Sequence, residues 1–92
     1  MTAPTNEFEV TIVNPLGLHA RPAAQLVKLA STFDSEIVLC KDGLEVNAKS
    51  IMGVMMLAAE CGSRIVIRAS GPDAERAVQA LGALVADGFG EQ

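Results

Sequence analysis

The sequence predicts an α+β fold of two layers, in which helices cover one face of an antiparallel sheet. Two observations lead to this prediction. Strand-like and helix-like stretches follow one another in the order βαββαβα, and an Asp-Gly pair separates two of the strands as in a tight hairpin. The 92 residues are half apolar and include no Trp or Tyr, so the core must be mainly aliphatic. We expect one domain over residues 1–92, with its core at about 8–89.

The first two elements are a strand and an amphipathic helix. Phe8, Val10 and Ile12 alternate with polar residues, which is typical of a half-buried strand. The stretch 14–17, Asn-Pro-Leu-Gly, interrupts that pattern. Apolar residues then recur at helical spacing over 20–33, so we expect a helix there.

A hairpin and a short helix follow. Residues 36–40 and 44–47 are strand-like, and Asp42-Gly43 between them predicts a tight turn. Ser50 is then positioned as the N-cap of a helix over 51–60.

A strand and a helix complete the chain. Residues 64–69 alternate and are rich in β-branched side chains, which predicts a strand. The last helix opens after the stretch 70–73, Ser-Gly-Pro-Asp, and ends near Gly88. Six apolar residues line one face of this helix: Ala74, Ala77, Val78, Leu81, Leu84 and Val85.

Composition argues against several classes of protein. A net charge of −4 is unfavourable for nucleic-acid binding, and no apolar run is long enough for membrane insertion. Because the amino terminus lacks the features of a signal peptide, we expect a cytoplasmic protein. Cys40 and Cys61 are far apart and there is one histidine, so we expect free thiols and neither a metal nor a cofactor.

Acidic residues are absent from two stretches, 10–33 and 46–59. The first contains His19, Arg21 and Lys28, and the second contains Lys49. If the two stretches are neighbours in space, they form a neutral-to-basic, partly apolar face on an acidic protein. Such a face would suit an acidic or phosphorylated protein partner.

His19 is the only histidine, and it lies where the first helix is expected to begin. The start of a helix exposes backbone N–H groups without intrahelical partners, and its dipole favours negative charge. A phosphate carried on the imidazole would meet these donors, with Arg21 close by. Pro22 is tolerated in the first turn, because the N–H that proline lacks would have no intrahelical partner there. A solvated or helix-capping histidine is the simpler alternative, but its neighbours favour an anion site.

The second informative stretch is 49–57, Lys-Ser-Ile-Met-Gly-Val-Met-Met-Leu. Ser50 is by default a capping residue, yet a phosphate at this position would also be accepted by the start of the helix. The stretch is more apolar than a short surface helix needs, and one small domain can hardly bury all of its large side chains. We therefore expect an exposed apolar docking patch.

Together, the stretches 17–23 and 49–55 and the order of elements closely resemble the HPr family, the histidine-containing phosphocarriers of the bacterial phosphotransferase system. The resemblance covers residues 8–89. It implies an open-faced β-sandwich, with a four-stranded antiparallel sheet in the order 1-4-2-3 covered by three helices.

The resemblance also implies a function and its residues. Enzyme I would transfer a phosphoryl group to Nδ1 of His19, and the carrier would pass it to a histidine of a IIA component. The Arg21 side chain and the backbone N–H groups of Ala20 and Arg21 would hold the phosphate. Ser50 would be phosphorylated by an HPr kinase/phosphorylase, which weakens the transfer. The expected docking residues are Ile51, Met52, Met55, Lys28 and Lys49.

Three alternatives stay open from the sequence. The nearest is the nitrogen-related (NPr-like) member of the family, which carries phosphate in a signalling chain rather than for sugar uptake. A small enzyme that uses Cys40 or Cys61 with His19 is another, and an interaction module in which His19 only caps a helix is the third. We expect a phosphocarrier rather than an enzyme, and a monomer, because a shuttle must meet its partners in turn.

Overall fold

The computed structural model describes residues 5–91, which form one sheet covered by helices. The strands are β1 (Thr5–Thr11), β2 (Glu36–Lys41), β3 (Leu44–Asn47) and β4 (Arg64–Ser70). They lie in the order β1-β4-β2-β3, and every neighbouring pair is antiparallel. The predicted open-faced sandwich is therefore confirmed.

Three α-helices complete the fold: α1 (Ala20–Ala30), α2 (Ile51–Met56) and α3 (Ala74–Ala86). A 3-10 turn over Gly88–Gly90, which the sequence did not predict, follows α3. None of the helices in residues 5–91 has the length and apolar character that crossing a bilayer requires.

The core lies between the sheet and the helices. β4 shows why: Ile65, Ile67 and Ala69 are buried, while the residues between them are partly exposed. Because successive side chains of a strand point to opposite faces, this alternation turns one face of the sheet towards the helices. Leu26 of α1 and Leu81 of α3 are fully buried on the helical side.

Two predicted helix ends were too late in the chain. α1 stops at Ala30 rather than Phe33, and the next turn is instead fixed by Asp73, whose carboxylate accepts hydrogen bonds from the backbone N–H groups of Asp34 and Ser35 at 2.9 Å each. α2 stops at Met56 rather than residue 60. The chain leaves the helix at Ala58, which has a positive φ of 49°, and the Ala59 carbonyl then accepts a hydrogen bond from the Leu18 N–H.

The first strand also differs from its prediction. Val10 and Ile12 are buried, but Phe8 is 51% exposed, and Ile12 follows the end of β1. The Phe8 ring lies over Gly82, where a Cβ atom would come within 2.8 Å of the ring. Phe8 therefore packs against a buried position of α3 while half of its side chain stays exposed.

The hairpin prediction is confirmed. Asp42 and Gly43 connect β2 and β3, and both adopt positive φ, at 51° and 84°. A two-residue turn with two positive φ angles matches the twist of the flanking strands. The turn fixes β3 at the edge of the sheet beside α2.

Candidate functional site

His19 is the N-cap residue of α1, as the sequence predicted. Its backbone is extended, and its carbonyl accepts the first helical hydrogen bond, from the Ala23 N–H at 3.0 Å. The ring itself makes no capping hydrogen bond. Within residues 5–91, the N–H groups of Ala20 and Arg21 have no hydrogen-bond partner. Two backbone donors are thus free where α1 begins.

A tight turn holds the chain just before His19. Gly17 has a φ of +65°, and a Cβ atom on it would lie 2.3 Å from the Ala59 carbonyl oxygen. The next residue, Leu18, donates its N–H to that same oxygen at 2.9 Å. Asn14 closes the turn, because its side-chain Nδ2 donates to the Gly17 carbonyl at 2.7 Å. Only glycine fits this position.

The imidazole of His19 pairs with a residue from the far end of the chain. Nε2 lies 3.1 Å from Oε2 of Glu91 and 3.5 Å from Oε1. The His19 side chain is about one-third exposed, at 35%. No group among residues 5–91 forms a hydrogen bond with Nδ1. The ring is therefore held by a hydrogen bond at Nε2, whereas Nδ1 has no hydrogen-bond partner in this part of the chain.

Glu91 is itself held in place. Its Oε1 accepts a hydrogen bond from Nδ2 of Asn14 at 3.1 Å, and Asn14 is only 2% exposed. Glu91 was not predicted as part of the site, because no local pattern in the sequence links it to His19. The pairing spans 72 positions and depends on the path of the chain after α3.

The 3-10 turn places Glu91 beside the imidazole ring of His19. Gly88, Phe89 and Gly90 all have positive φ, at 64°, 58° and 74°. This conformation costs little for glycine but is unfavourable for phenylalanine. Phe89 adopts it while burying its side chain, which is 3% exposed, so apolar burial offsets the backbone cost. The Glu91 N–H then donates to the Gly88 carbonyl at 3.0 Å.

The three basic residues predicted around the site have different surroundings. Arg21 is exposed in the first turn of α1, and its guanidinium forms no ion pair within residues 5–91. Lys28 lies in the last turn, about 13 Å from His19 along the helix axis. Lys49 is half-buried, and its Nζ donates to the Phe33 carbonyl at 2.7 Å. Arg21 is the cation that stands next to the free amides of α1.

Ser50 is the N-cap of α2, as predicted. Its Oγ accepts a hydrogen bond from the Gly53 N–H at 3.1 Å, and the residue is half-exposed. The hydroxyl therefore caps the helix while one side of the residue remains in contact with solvent.

An apolar patch covers the outer side of α2. We call this surface the α2 patch and define it by four exposed side chains: Ile51, Met52, Met55 and Met56. Met52 is the most exposed of them, at 77%, whereas Val54 turns into the core. The expected exposed apolar surface is therefore present.

The two stretches without acidic residues are neighbours in space, as the sequence analysis supposed. Leu18 bonds to Ala59, Lys49 reaches the Phe33 carbonyl, and α1 packs against α2. Glu91, brought from outside both stretches, adds one carboxylate to this surface. Leu16 is also strongly exposed on this surface. Its position in the stretch that interrupts the first strand pattern did not predict this exposure.

The two cysteines are free thiols, with Cys40 half-buried and Cys61 exposed. Burial raises the pKa of the Cys40 thiol; the positive charge of Arg68 opposes this effect, and Glu45 and Glu7 add to it. A raised pKa disfavours the thiolate, which is the nucleophilic form. The Sγ of Cys61 lies 3.7 Å from the Val13 carbonyl oxygen. Neither thiol is hydrogen-bonded to His19 within the part of the chain that the structure describes.

Comparisons with known proteins agree on one family. A family model described as "PTS HPr component phosphorylation site" matches residues 6–87. The phosphocarrier protein HPr of Cupriavidus necator is 52% identical over 83 residues, which cover 90% of this chain and 93% of that protein. The phosphocarrier protein NPr of Proteus mirabilis is 46% identical over 88 residues, covering 95% of this chain and 98% of the relative.

A solved structure matches over the same extent. The crystal structure of HPr-C-His from Thermoanaerobacter tengcongensis superposes with a TM-score of 0.91 at 47% sequence identity. The match covers 95% of this chain and 98% of the other. Sequence and fold therefore agree over nearly the whole molecule.

Proposed function

Because the chain belongs to the HPr family of phosphocarriers of the bacterial phosphotransferase system, we propose that His19 is the residue that carries its phosphoryl group. Phosphorylated enzyme I is the donor, and a histidine of a IIA component is the acceptor. The observation that supports this most is the arrangement at the start of α1. There, a partly exposed imidazole with an open Nδ1 stands beside two unpaired backbone N–H groups.

The chemistry suits an imidazole at this position. The lone pair of Nδ1 attacks the phosphorus, a nitrogen–phosphorus bond forms, and the bond from phosphorus to the donor atom breaks with its electron pair returning to the donor. The transfer depends on in-line positioning and charge neutralisation more than on a base. A phosphoramidate remains reactive, so the group can be passed on, whereas a serine ester would trap it.

The amino end of α1 supplies the charge neutralisation. The N–H groups of Ala20 and Arg21 have no partner among residues 5–91, and the helix dipole places partial positive charge there. The Arg21 guanidinium is exposed and without an ion pair in the same part of the chain, so it can approach the phosphoryl oxygens. These groups hold the phosphoryl group after it reaches His19.

The partners dock on the neutral-to-basic surface around His19 and the α2 patch. An exposed group of four apolar side chains on one short helix is the kind of surface that a protein partner covers. Among the expected docking residues, Ile51, Met52 and Met55 belong to this patch, with Lys28 and Lys49 at its basic margin. We propose that the carrier is a cytoplasmic monomer that presents this one surface to enzyme I and IIA in turn.

Ser50 is the proposed regulatory position. A phosphate on Ser50 Oγ would place a dianion at the start of α2, next to the apolar side chains of Ile51 and Met52. Negative charge at this position would disfavour docking and repel an incoming phosphoryl group. An HPr kinase/phosphorylase would perform this modification.

Nitrogen-type signalling is the second candidate function, because an NPr matches nearly the full length of the chain. Identity to the HPr of Cupriavidus necator is higher, at 52% against 46%, so we favour the general or sugar-type carrier. Transfer from the phosphorylated chain to a sugar-type and to a nitrogen-type IIA component separates the two. Faster transfer to the nitrogen-type acceptor would favour signalling.

The carrier function is tested by incubating the chain with enzyme I and phosphoenolpyruvate, followed by mass spectrometry of the intact protein. We expect one acid-labile phosphoryl group per chain, and none on a His19→Ala variant or without enzyme I. If the parent gains no phosphoryl group, the carrier proposal is wrong. Docking is tested separately: when enzyme I is added to the isotope-labelled chain, the NMR signals of the α2 patch should change.

A further inference from the structure

The ammonium group of Lys49 joins the start of α2 to the turn that follows α1. Its Nζ donates to the Phe33 carbonyl at 2.7 Å, and no backbone N–H among residues 5–91 donates to that carbonyl. Lys49 is half-buried, whereas Lys28 in the last turn of α1 is exposed. A hydrogen bond from a charged donor is stronger than a neutral one, and partial burial strengthens it further. The Lys49 ammonium is therefore held by the chain itself rather than free to move towards a partner.

The Phe33 carbonyl is a fixed acceptor, because the turn around it is held from two sides. The Phe33 N–H donates to the Ala30 carbonyl at 3.2 Å, and the Phe33 side chain packs against the core. The next two residues, Asp34 and Ser35, donate their N–H groups to the Asp73 carboxylate. The turn is therefore a rigid anchor for the lysine.

The main chain of Lys49 leads directly into α2. Its N–H donates to Oδ1 of Asn47 at 2.9 Å, and the N–H of Ser50 donates to the Asn47 carbonyl at 3.1 Å. Ser50, the next residue, is the N-cap of the helix. α2 has six residues, with Val54 as its buried residue, and a helix this short is not stable by itself. Its position therefore depends on the contacts at its ends.

We propose that Lys49 is a positioning residue for docking: its bond to the Phe33 carbonyl fixes α2 against α1, so that the α2 patch and His19 keep one spacing. This inference rests on the proposed function, and it changes the part of Lys49 from a docking charge to an internal tether. Phosphorylated enzyme I has to contact the α2 patch and reach His19 at the same time, so it depends on this spacing. A surface that already has its binding conformation does not have to be ordered when the partner arrives, which lowers the cost of binding.

A tether and a docking charge predict different responses to salt. The attraction between an exposed lysine and an acidic partner is screened at high ionic strength. The bond between Lys49 and the Phe33 carbonyl is a half-buried contact within the chain, so it is screened much less. Loss of a tether should therefore weaken docking at any ionic strength, whereas loss of a docking charge should weaken it at low ionic strength only.

The test compares the parent with Lys49→Met, Lys28→Met and Gly43→Ala. Methionine keeps most of the lysine stem but has no donor for the Phe33 carbonyl. Lys28→Met removes an exposed lysine, and Gly43→Ala destabilises the chain at the hairpin turn, where no docking residue lies. The KM and kcat of enzyme I for each chain are measured at low and at high ionic strength, with thermal unfolding to verify that each chain is folded.

A second measurement needs no partner. NMR of the parent reports how fast the ammonium hydrogens of each lysine exchange with water. We expect slower exchange for Lys49 than for Lys28, and a larger change in the carbonyl shift of Phe33 in Lys49→Met than in Lys28→Met. If the Lys49 ammonium exchanges as fast as that of Lys28, the proposal is wrong, even where Lys49→Met does not fold.

We expect Lys49→Met to raise the KM of enzyme I for the chain about fivefold at both ionic strengths, as is typical when one more group has to be ordered on binding, with kcat near the parental value. Lys28→Met should raise the KM at low ionic strength only, and Gly43→Ala should leave it unchanged.

Three outcomes for the KM would overturn the proposal: no change in Lys49→Met, an increase that disappears at high ionic strength, or an equal increase in Gly43→Ala. A parent that accepts no phosphoryl group would instead refute the carrier function. The exchange of the ammonium hydrogens would then still decide whether Lys49 holds the Phe33 carbonyl.

Discussion

A Cβ atom on residue 17 would lie only 2.3 Å from the carbonyl oxygen of Ala59, so no residue other than glycine fits at this position. Gly17 has a φ of +65°, so both its backbone conformation and its surroundings exclude a side chain. This contact joins the turn before His19 to the segment after α2. The position of the imidazole therefore depends on a close backbone approach between two distant parts of the chain.

Gly17→Ala should lower the free energy of unfolding by at least ~3 kcal/mol, because it adds a steric clash with backbone to the cost of a positive φ. Urea unfolding measures this change. Gly43→Ala is the matched control: its φ is +84°, but nothing lies within 4 Å of the added Cβ atom. It should cost only ~1–2 kcal/mol. Equal losses in the two variants would show that the approach to Ala59 is unimportant.

Asp73 predicts an acid-dependent part of the stability. The Ser35 hydroxyl, followed by the backbone N–H of Asp34, stabilises the charged carboxylate and lowers the pKa of Asp73 from 3.8 to about 2. A lowered folded-state pKa contributes stability above the unfolded-state value, and that contribution is lost as the pH falls from about 4 to 2. Asp73→Asn should therefore be less stable than the parent at pH 7.

The difference between parent and Asp73→Asn should shrink as the pH falls from about 4 through about 2, because the parent carboxyl takes up its proton over this range. Urea unfolding at a series of pH values measures it. Asp87→Asn removes a carboxylate whose side chain makes no capping hydrogen bond, and it should show no comparable trend. A gap between parent and Asp73→Asn that stays constant with pH would contradict the assignment.

Much of the fold follows from local patterns. Asp42-Gly43 predicts the hairpin because both residues tolerate positive φ, and His19 is placed at the start of α1 by the break and the helical spacing around it. The position of Ser50 as an N-cap follows from its residue type and the apolar run after it. These features depend on residues within a few positions of one another.

The remaining features depend on contacts between distant residues. Glu91 meets His19 only because α3 ends in a turn that Phe89 anchors in the core. The segment after α2 accepts a hydrogen bond from Leu18 at Ala59, which no local pattern contains. In the same way, Asp73 is typical of a helix start, yet its carboxylate bonds to the turn after α1. The spacing of residues within one element does not predict contacts between distant parts of the chain.

Arg21→Ala should slow phosphorylation by enzyme I at least about tenfold, because the charge-assisted contact to the phosphoryl oxygens is lost. Its stability should stay within ~0.5 kcal/mol of the parent, since Arg21 is exposed. The matched control is Arg76→Ala, an exposed arginine on α3. Rates measured with radiolabelled phosphoenolpyruvate give the comparison. If the Arg21 variant is as fast as the Arg76 variant, Arg21 has no part in the transfer.

Ser50 allows charge and capping to be separated. Ser50→Ala loses the hydrogen bond to the Gly53 N–H and should lower stability by ~1 kcal/mol, with transfer near the parental rate. Ser50→Asp keeps a capping side chain but adds charge beside the α2 patch, so it should remain folded and accept phosphate more slowly. Unfolding curves and rates with enzyme I test both. If enzyme I phosphorylates Ser50→Asp at the parental rate, the proposed electrostatic mechanism is wrong.

The proposed function requires Nδ1 of His19 to carry the phosphoryl group. The most direct measurement is NMR of the chain labelled with nitrogen-15 in its single histidine, after phosphorylation by enzyme I and phosphoenolpyruvate. We expect a phosphorus–nitrogen coupling to Nδ1, with Nε2 still bearing its hydrogen. A coupling to Nε2, or phosphate on another residue with the ring unmodified, would contradict it.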